Sequence, residues 1–463
     1  MLFSGIFFLS ISFIFAFICL HAFFYREMDS FNLICVSLVL IISLIILSAQ
    51  NLFYIFLGFE LLTIFYSLII AANGGIRIAV LYSVLNFTAG AGMLALIPHD
   101  LSTLSTNINF FHYHPLMGQL FNSLIFLHAG AFFMAPIVIT AYSSVSATVL
   151  PFIVIFASKT SLAVISKLTF GPSELLLALS ILTLVYAFYR MSVEDSIPNA
   201  LLANGIGHVG LVGFMIHSGG EVLHYYLASS IVHQMGFYIF SAKLSAIGIS
   251  KFSQLKRLRI SSNASFILLF ISLVSNFSIP PTIGFATKAI ALHNMGFIFS
   301  VFISFLSYIF VFLVPLKFIR LAYCNKRAPS IGIHTTHLEK LSIICLSLYL
   351  LFPFSLEIYS FRKILTQAAL FMLVWVVYSF AFSKLKCFFC CVASYFKAYV
   401  RSLSELSKHF GSYPVAAFHS VRRRVLLFCT GALPYYRNLF SVSLSFITFL
   451  FAGFVALLLV IGI

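Results

Sequence analysis

Apolar stretches long enough to cross a membrane follow one another along almost the whole chain. A helix needs about 20 mostly apolar residues to span a bilayer. Such stretches cover residues 2–25, 31–49, 51–72, 77–97, 121–134, 136–157, 174–190, 198–217, 222–247, 263–293, 297–323, 338–358, 364–383 and 438–463. Inside a bilayer each backbone polar group must find its partner within the protein, so these segments must be helical. The sequence predicts an all-α, polytopic transmembrane bundle of about 13–15 helices.

Composition excludes a soluble globular protein. Of the 463 residues, 62% are hydrophobic and 8% are charged, whereas much of the surface of a soluble domain must be wetted. The chain starts with an apolar stretch, without the basic region of a signal peptide or an Arg- and Ser-rich transit sequence. We therefore expect insertion into the membrane where the chain is made.

The segment 384–437 carries much of the positive charge. It has nine basic residues against one acidic residue, Glu405, and thus +8 of the net +16. This pattern predicts one or two amphipathic helices along the membrane surface or a neighbouring subunit, in contact with anionic phospholipids such as cardiolipin. No nucleic-acid motif accompanies the charge, so we expect no nucleic-acid partner.

Two groups of potential metal ligands lack a complete ligand set. Cys387, Cys390 and Cys391 have no second cluster to complete four ligands. His99, His112 and His114 lie in the polar loop 98–120 with Asp100 as the nearby acid. A solvated loop and a membrane-surface cysteine cluster are the simpler interpretations, so the sequence predicts no metal site.

Two of the predicted spans are expected to be interrupted. Residues 121–136 contain Gly130 and Pro136, and residues 276–288 contain Pro280, Pro281 and Gly284. Proline removes a backbone donor, and glycine loosens a helix. Interruptions at membrane depth occur where the backbone is buried or lines a polar cavity. When paired in two halves of a chain, they indicate an ion path built from inverted repeats. A simple proline kink is the alternative.

Ionisable side chains within apolar stretches are candidates for function, because they are costly unless paired or hydrated. Glu60 lies in the middle of the stretch 51–72, and Lys288 follows the second interruption. Buried carboxyl and ammonium groups can exchange protons near neutral pH. A structural hydrogen bond for Glu60, or a snorkelling side chain for Lys288, is the alternative.

Three histidines and one further lysine complete the candidate set. His128, His208 and His233 lie in apolar stretches, and a neutral imidazole can both donate and accept a hydrogen bond, as a proton chain requires. A satisfied core histidine is the alternative for each. Lys159 and Lys167 flank a short apolar stretch, and either could face a cavity or snorkel. No nucleotide loop, flavin motif, haem-ligand pair or catalytic triad is present, so we expect ion transport rather than covalent chemistry.

Several short motifs between about residues 40 and 330 share a family pattern. They are Leu57–Leu61, Tyr82, Thr88–Gly92, Leu127–His128, Ala135–Tyr142, Ile206–Gly210 and Ser278–Lys288. Together they resemble the antiporter-like subunits of respiratory NADH:ubiquinone oxidoreductase (complex I), which are related to multi-subunit cation/proton antiporters. Tyr226–Ala228 and Gln234–Tyr238 are most similar to chain 2 of that complex, whereas the order of the C-terminal segments is similar to chain 5.

The resemblance implies a function and a division of the chain. Protons would pass through Glu60, Lys288, His208, His128, His233 and Lys159, driven by electron transfer in other subunits of an H⁺-translocating NADH:ubiquinone reductase. The complex, not this chain, would bind NADH, FMN, iron–sulfur clusters and ubiquinone. The partners would be other membrane-arm subunits in the mitochondrial inner membrane, with organelle-encoded synthesis; a bacterial plasma membrane is the alternative. The expected domains are 1–50 (N-terminal helices), 51–330 (antiporter-like core), 331–383 (additional helices), 384–437 (basic segment) and 438–463 (last helix).

The chain departs from the family pattern at its central basic residues. The positions where the family has lysines align with Asn122 and Thr148, and a basic pair is replaced near Pro198 and Asn199. Lys159 or a histidine could substitute for them. A stand-alone cation/proton antiporter, and a structural subunit that has lost pumping, therefore remain alternatives.

Overall fold

The structure is a computed structural model that describes residues 2–24, 27–97, 115–168, 173–217, 223–255, 259–260, 264–276, 282, 284, 330–331 and 337–351. Nearly all of these residues are helical. The helices are α1 (Leu2–Phe24), α2 (Ser30–Ser48), α3 (Leu52–Ala72), α4 (Ile76–Leu96), α5 (Pro115–His128), α6 (Ala135–Ser143), α7 (Leu150–Lys167), α8 (Glu174–Val193), α9 (Ile197–His217), α10 (Leu223–Ala246), α11 (Phe252–Leu255), α12 (Ala264–Asn276) and α13 (His337–Leu351). Strands β1 (Arg259–Ile260) and β2 (Ser330–Ile331) form a short parallel pair.

Polar side chains fix where several of the apolar helices begin. The Asp29 carboxylate accepts a hydrogen bond from the Asn32 backbone N–H at 2.9 Å, and the Asn51 side chain accepts one from Phe53 N–H at 2.8 Å. Ser173 does the same for Leu176 at 3.3 Å. Each cap satisfies a backbone donor that has no partner within its helix. The apolar runs that follow then continue as helices across the bundle.

Helices α7, α9 and α10 form the centre of the described bundle. Helix α7 packs against α2, α5, α9 and α10, and α8 packs along α9. Nearly every side chain of α7 and α9 is buried, whereas α3 and α4 expose one face each. Large apolar side chains cover the outer faces, including Ile45, Tyr54 and Phe270. Apolar outer surfaces of this kind suit a lipid environment.

Six of the described helices are long and apolar enough to cross a membrane: α2, α3, α4, α7, α8 and α9. The prediction of an all-α, polytopic membrane protein is therefore confirmed. The predicted span 136–157 is wrong, because the chain forms two helices there, α6 and α7. Asn73 accepts a hydrogen bond from Ser146 N–H at 3.2 Å in the intervening turn. Pro151 then lies in the first turn of α7, where its missing N–H costs nothing.

The second half of the predicted organisation falls largely outside the described residues. Helix α12 ends at Asn276, where the second interruption is predicted, and most of that interruption lies beyond the described residues. The predicted spans 297–323, 364–383 and 438–463, the basic segment 384–437 and the cysteine and histidine groups of the loops also lie outside them. The domain boundaries remain predictions.

Candidate functional site

The first predicted interruption is present between α5 and α6. Helix α5 ends at His128, and Gly130 adopts a left-handed conformation with φ 92°, which glycine tolerates without steric cost. Its N–H donates to Leu127 O at 2.9 Å. The N–H of Phe132 donates to Thr183 Oγ1 of α8 at 2.9 Å. These backbone N–H groups at the interruption thus have acceptors inside the protein, as a membrane requires.

His128 lies directly at this interruption. Its side chain is 9% exposed, and its ring lies 5.3 Å from the ring of Phe59 on α3, centroid to centroid. Among the described residues, Nε2 of His128 has no hydrogen-bond partner. A buried imidazole nitrogen in this state can take a hydrogen bond from water or pass a proton.

Glu60 follows Phe59 and lies between α3 and α4 at the edge of the bundle. Its side chain is half-buried, whereas its neighbours Leu57 and Leu61 are exposed. The buried oxygen Oε1 has no hydrogen-bond partner among the described residues. It lies against Gly90 of α4, where a Cβ atom would overlap it. The glycine in the small-residue segment 88–92 therefore makes room for the carboxyl group.

Replacing Gly90 by alanine should displace the Glu60 carboxyl group and lower the rate of proton translocation by about tenfold, because misplacing a reacting group by about an ångström can cost up to roughly 10²-fold. The fold should survive, since the contact is made by the end of a flexible side chain. Gly92→Ala is the matched control, because its Cβ would instead meet Leu124 Cδ1 at 3.0 Å. Equal proton-translocation rates in the two variants, measured in vesicles, would contradict this role of Gly90.

The structure brings two predicted histidines together in the core. His208 of α9 and His233 of α10 are 4% and 2% exposed, and their ring centroids are 5.4 Å apart. Nδ1 of His208 lies 3.1 Å from the Tyr226 hydroxyl. The three side chains thus link two central helices through groups that can both donate and accept protons.

The two lysines of α7 have different environments. Lys159 lies in the middle of the helix with 0% exposure, and its Nζ has no hydrogen-bond partner among the described residues. Lys167 ends the helix, and its ammonium group donates to the carbonyls of Leu47 and Ala49 at the end of α2. Lys159 therefore does not snorkel to the surface of the described bundle, and that interpretation is wrong. Lys167 instead satisfies carbonyls at a helix C-terminus.

The positions aligned with the family's central lysines have local structural contacts. Asn122 of α5 is 5% exposed and donates from Nδ2 to Leu168 O at 3.1 Å. Thr148 lies in the turn before α7, where its hydroxyl is 3.1 Å from that of Ser146. Thr148 is therefore outside the helical core, and Lys159 is the ammonium group that lies deepest in α7.

Sequence reasoning missed a buried ion pair. Lys243 of α10 contacts Glu339 of α13, with side-chain exposures of 12% and 6%. The Lys243 ammonium also lies 6.0 Å from the centre of the Phe23 ring in α1. Lys243 lies within the predicted span 222–247, so the rule that singled out Glu60 applies to it equally. Glu339 begins a predicted span and gave a weaker signal.

Of the six predicted site residues, the structure describes five and places them around the first interruption and the central helices. Lys288 lies outside the described residues. Within the described part of the chain, no group of three or more His, Cys, Asp or Glu side chains is arranged to hold a metal ion.

Comparisons with known proteins show the fold. No protein-family model matches the sequence, and no curated protein does. A chain of the Mrp complex from Dietzia sp. DQ12-45-1b matches with a TM-score of 0.65 and 12% identity, over 98% of this chain and 55% of that chain. This chain thus spans about half the length of the Mrp chain.

Two respiratory complexes contain similar chains. A chain of respiratory complex I from Thermus thermophilus matches with a TM-score of 0.60 and 16% identity, over 79% of this chain and 85% of that chain. A chain of the membrane-bound sulfane sulfur reductase, an archaeal respiratory membrane complex, matches with a TM-score of 0.57 and 15% identity, over 75% of this chain and 62% of that chain. The protein therefore shares its helix-bundle fold with chains of these membrane complexes.

Proposed function

We propose that this protein is an antiporter-like, proton-translocating membrane-arm subunit of a respiratory NADH:quinone oxidoreductase. The observation that carries the proposal is the set of ionisable groups inside the membrane bundle: Glu60, His128, Lys159, His208 and His233. Ionisable groups at such sites are expensive and typically mark proton or ion paths. His128 lies at the end of an interrupted helix, which fits a transport site.

The chain's own groups would move protons stepwise. Glu60, at the edge of the bundle, would exchange protons with the central groups His128 and Lys159. Lys288 would communicate with the other half of the bundle or with the exit. A charge change at one group alters the proton affinity of the next, so electron transfer elsewhere in the complex can drive the path electrostatically.

Other subunits would supply the redox chemistry. They would bind NADH, FMN, the iron–sulfur clusters and ubiquinone, and would pack beside this chain in the membrane arm. The basic segment 384–437 would contact anionic phospholipids or a neighbouring subunit. The mitochondrial inner membrane is the proposed location.

An Mrp-type cation/proton antiporter assembly is the second candidate. The match to the Mrp chain covers 98% of this chain, more than the 79% covered by the complex I match. A third candidate is a structural membrane-arm subunit that has lost pumping, because Asn122 uses its amide for a structural hydrogen bond to Leu168.

A native gel of membranes solubilised in mild detergent tests the first candidate. The gel is stained for NADH dehydrogenase activity, and each band is analysed by peptide mass spectrometry. We expect this chain in the large, NADH-active band. Its presence only in a smaller, NADH-inactive assembly would contradict the proposal and favour the antiporter candidate.

A further inference from the structure

A small cavity lies beside the interruption between α5 and α6. Its volume is about 20 Å³, which is enough for about one water molecule. His128, Tyr142 and Ser158 supply polar lining from α5, α6 and α7, and Gly205 lies in the wall formed by α9. Helices α5, α6, α7 and α9 therefore meet at this cavity, and three of them carry a predicted site residue: His128 on α5, Lys159 on α7 and His208 on α9.

Buried polar groups around the cavity are short of hydrogen-bond partners. Nε2 of His128 and the hydroxyl of Tyr238 have none among the described residues. The Tyr238 hydroxyl lies next to Gly205, 3.7 Å from where a Cβ atom would stand. Buried polar groups are normally satisfied by protein or by ordered water. The cavity wall is mostly apolar, but His128, Tyr142 and Ser158 contribute polar side chains to it, and one water molecule there could satisfy Nε2 of His128.

A pair of tyrosines extends the polar connection from the cavity towards α4. The hydroxyls of Tyr142 and Tyr82 are 3.3 Å apart, and both side chains are buried. Tyr82 belongs to the same helix as Gly90, against which the Glu60 carboxyl lies. On the other side, Ser158 precedes Lys159, and Gly205 lies about one helical turn before His208.

We propose that the cavity holds a water molecule that joins His128 to the Tyr142 hydroxyl, which in turn meets the Tyr82 hydroxyl, and that this hydrogen-bonded connection carries protons between the Glu60 half and the Lys159–His208 half. The inference rests on the proposed function. Each hydroxyl accepts a proton on its oxygen and releases its own O–H proton to the next acceptor, so no tyrosine has to ionise. The connection provides proton-transfer groups beside α5, a helix in which the side chain of Asn122 cannot be titrated.

Two substitutions test the connection in the intact complex. Tyr142→Phe removes the hydroxyl and keeps the ring. Gly205→Ala adds a methyl group in the cavity wall at ordinary contact distances, 3.7 Å from Tyr238 and from Val154, so it should fold normally and displace the water. We expect each to lower the rate of proton translocation by about threefold to tenfold, the effect of roughly one hydrogen bond, with unchanged abundance in the complex.

Tyr54→Phe is the matched control, because Tyr54 is 60% exposed on α3 and should keep wild-type translocation. A high-resolution electron cryomicroscopy map of the wild-type complex should show water density beside Tyr142 and His128, and the Gly205→Ala map should lack it. A dry wild-type cavity, or wild-type translocation in both Tyr142→Phe and Gly205→Ala, would overturn the inference. The same assay on Glu60→Gln separates this inference from the proposed function. Loss of translocation in Glu60→Gln supports the proposed function whatever the two cavity variants show. Normal translocation in Glu60→Gln would contradict the proposed function as well.

Discussion

Replacing Glu60 by glutamine should lower the rate of proton translocation through this chain by about 10²-fold or more, the scale of losing a proton-transfer group. Glutamine has nearly the same shape, so it can occupy the space beside Gly90 that the carboxyl group fills. It cannot release a proton, and the path through the bundle therefore loses a titratable group. Assembly should be unaffected, because Oε1 of Glu60 has no hydrogen-bond partner among the described residues.

The measurement uses membrane vesicles in which NADH-driven quinone reduction and acidification of the lumen are recorded together. Glu174→Gln is the matched control: Glu174 is exposed in the first turn of α8, away from the ionisable groups of the core. It should translocate protons like the wild type. If Glu60→Gln keeps its full proton-to-electron ratio, Glu60 has no part in translocation.

Replacing Lys243 by methionine should destabilise the subunit by about 3–5 kcal/mol, which is the usual cost of removing one partner of a buried ion pair. The pair joins α10 to α13, and the Phe23 ring of α1 lies beside the ammonium group. Loss of the pair should therefore loosen three helices together. We expect less subunit in the assembled complex and a lower thermal unfolding midpoint.

A second substitution separates charge from packing. The double variant Lys243→Met, Glu339→Leu also removes the buried carboxylate. Much of the lost stability should then return, because replacing a whole buried ion pair by apolar side chains is often neutral. Arg190→Met is the control, because the Arg190–Glu194 pair is i,i+4 and more exposed, at 30% and 17%, and such pairs contribute about 0.3–0.5 kcal/mol. A Lys243→Met loss no larger than that of Arg190→Met would contradict the predicted role of the ion pair.

The sequence was sufficient to predict the class of fold and the first interruption. Apolar stretches that match α1–α4 and α8–α10 could be recognised because spanning a bilayer depends on local hydropathy over about 20 residues. The break between α5 and α6 could be predicted from Gly130, because glycine tolerates the left-handed conformation that the break requires. The prediction of 136–157 as one span failed, since the turn between α6 and α7 depends on Asn73, which is distant in sequence.

The sequence by itself also provided the candidate proton-handling side chains, because ionisable groups in apolar segments are recognisable one at a time. Only the tertiary structure decided which of them meet. It paired His208 with His233, set Glu60 against Gly90 and joined Lys243 to Glu339. It also buried Lys159 completely. Hydropathy is a sum over neighbours in sequence, whereas these contacts join helices that are far apart along the chain, and packing alone brings such helices together.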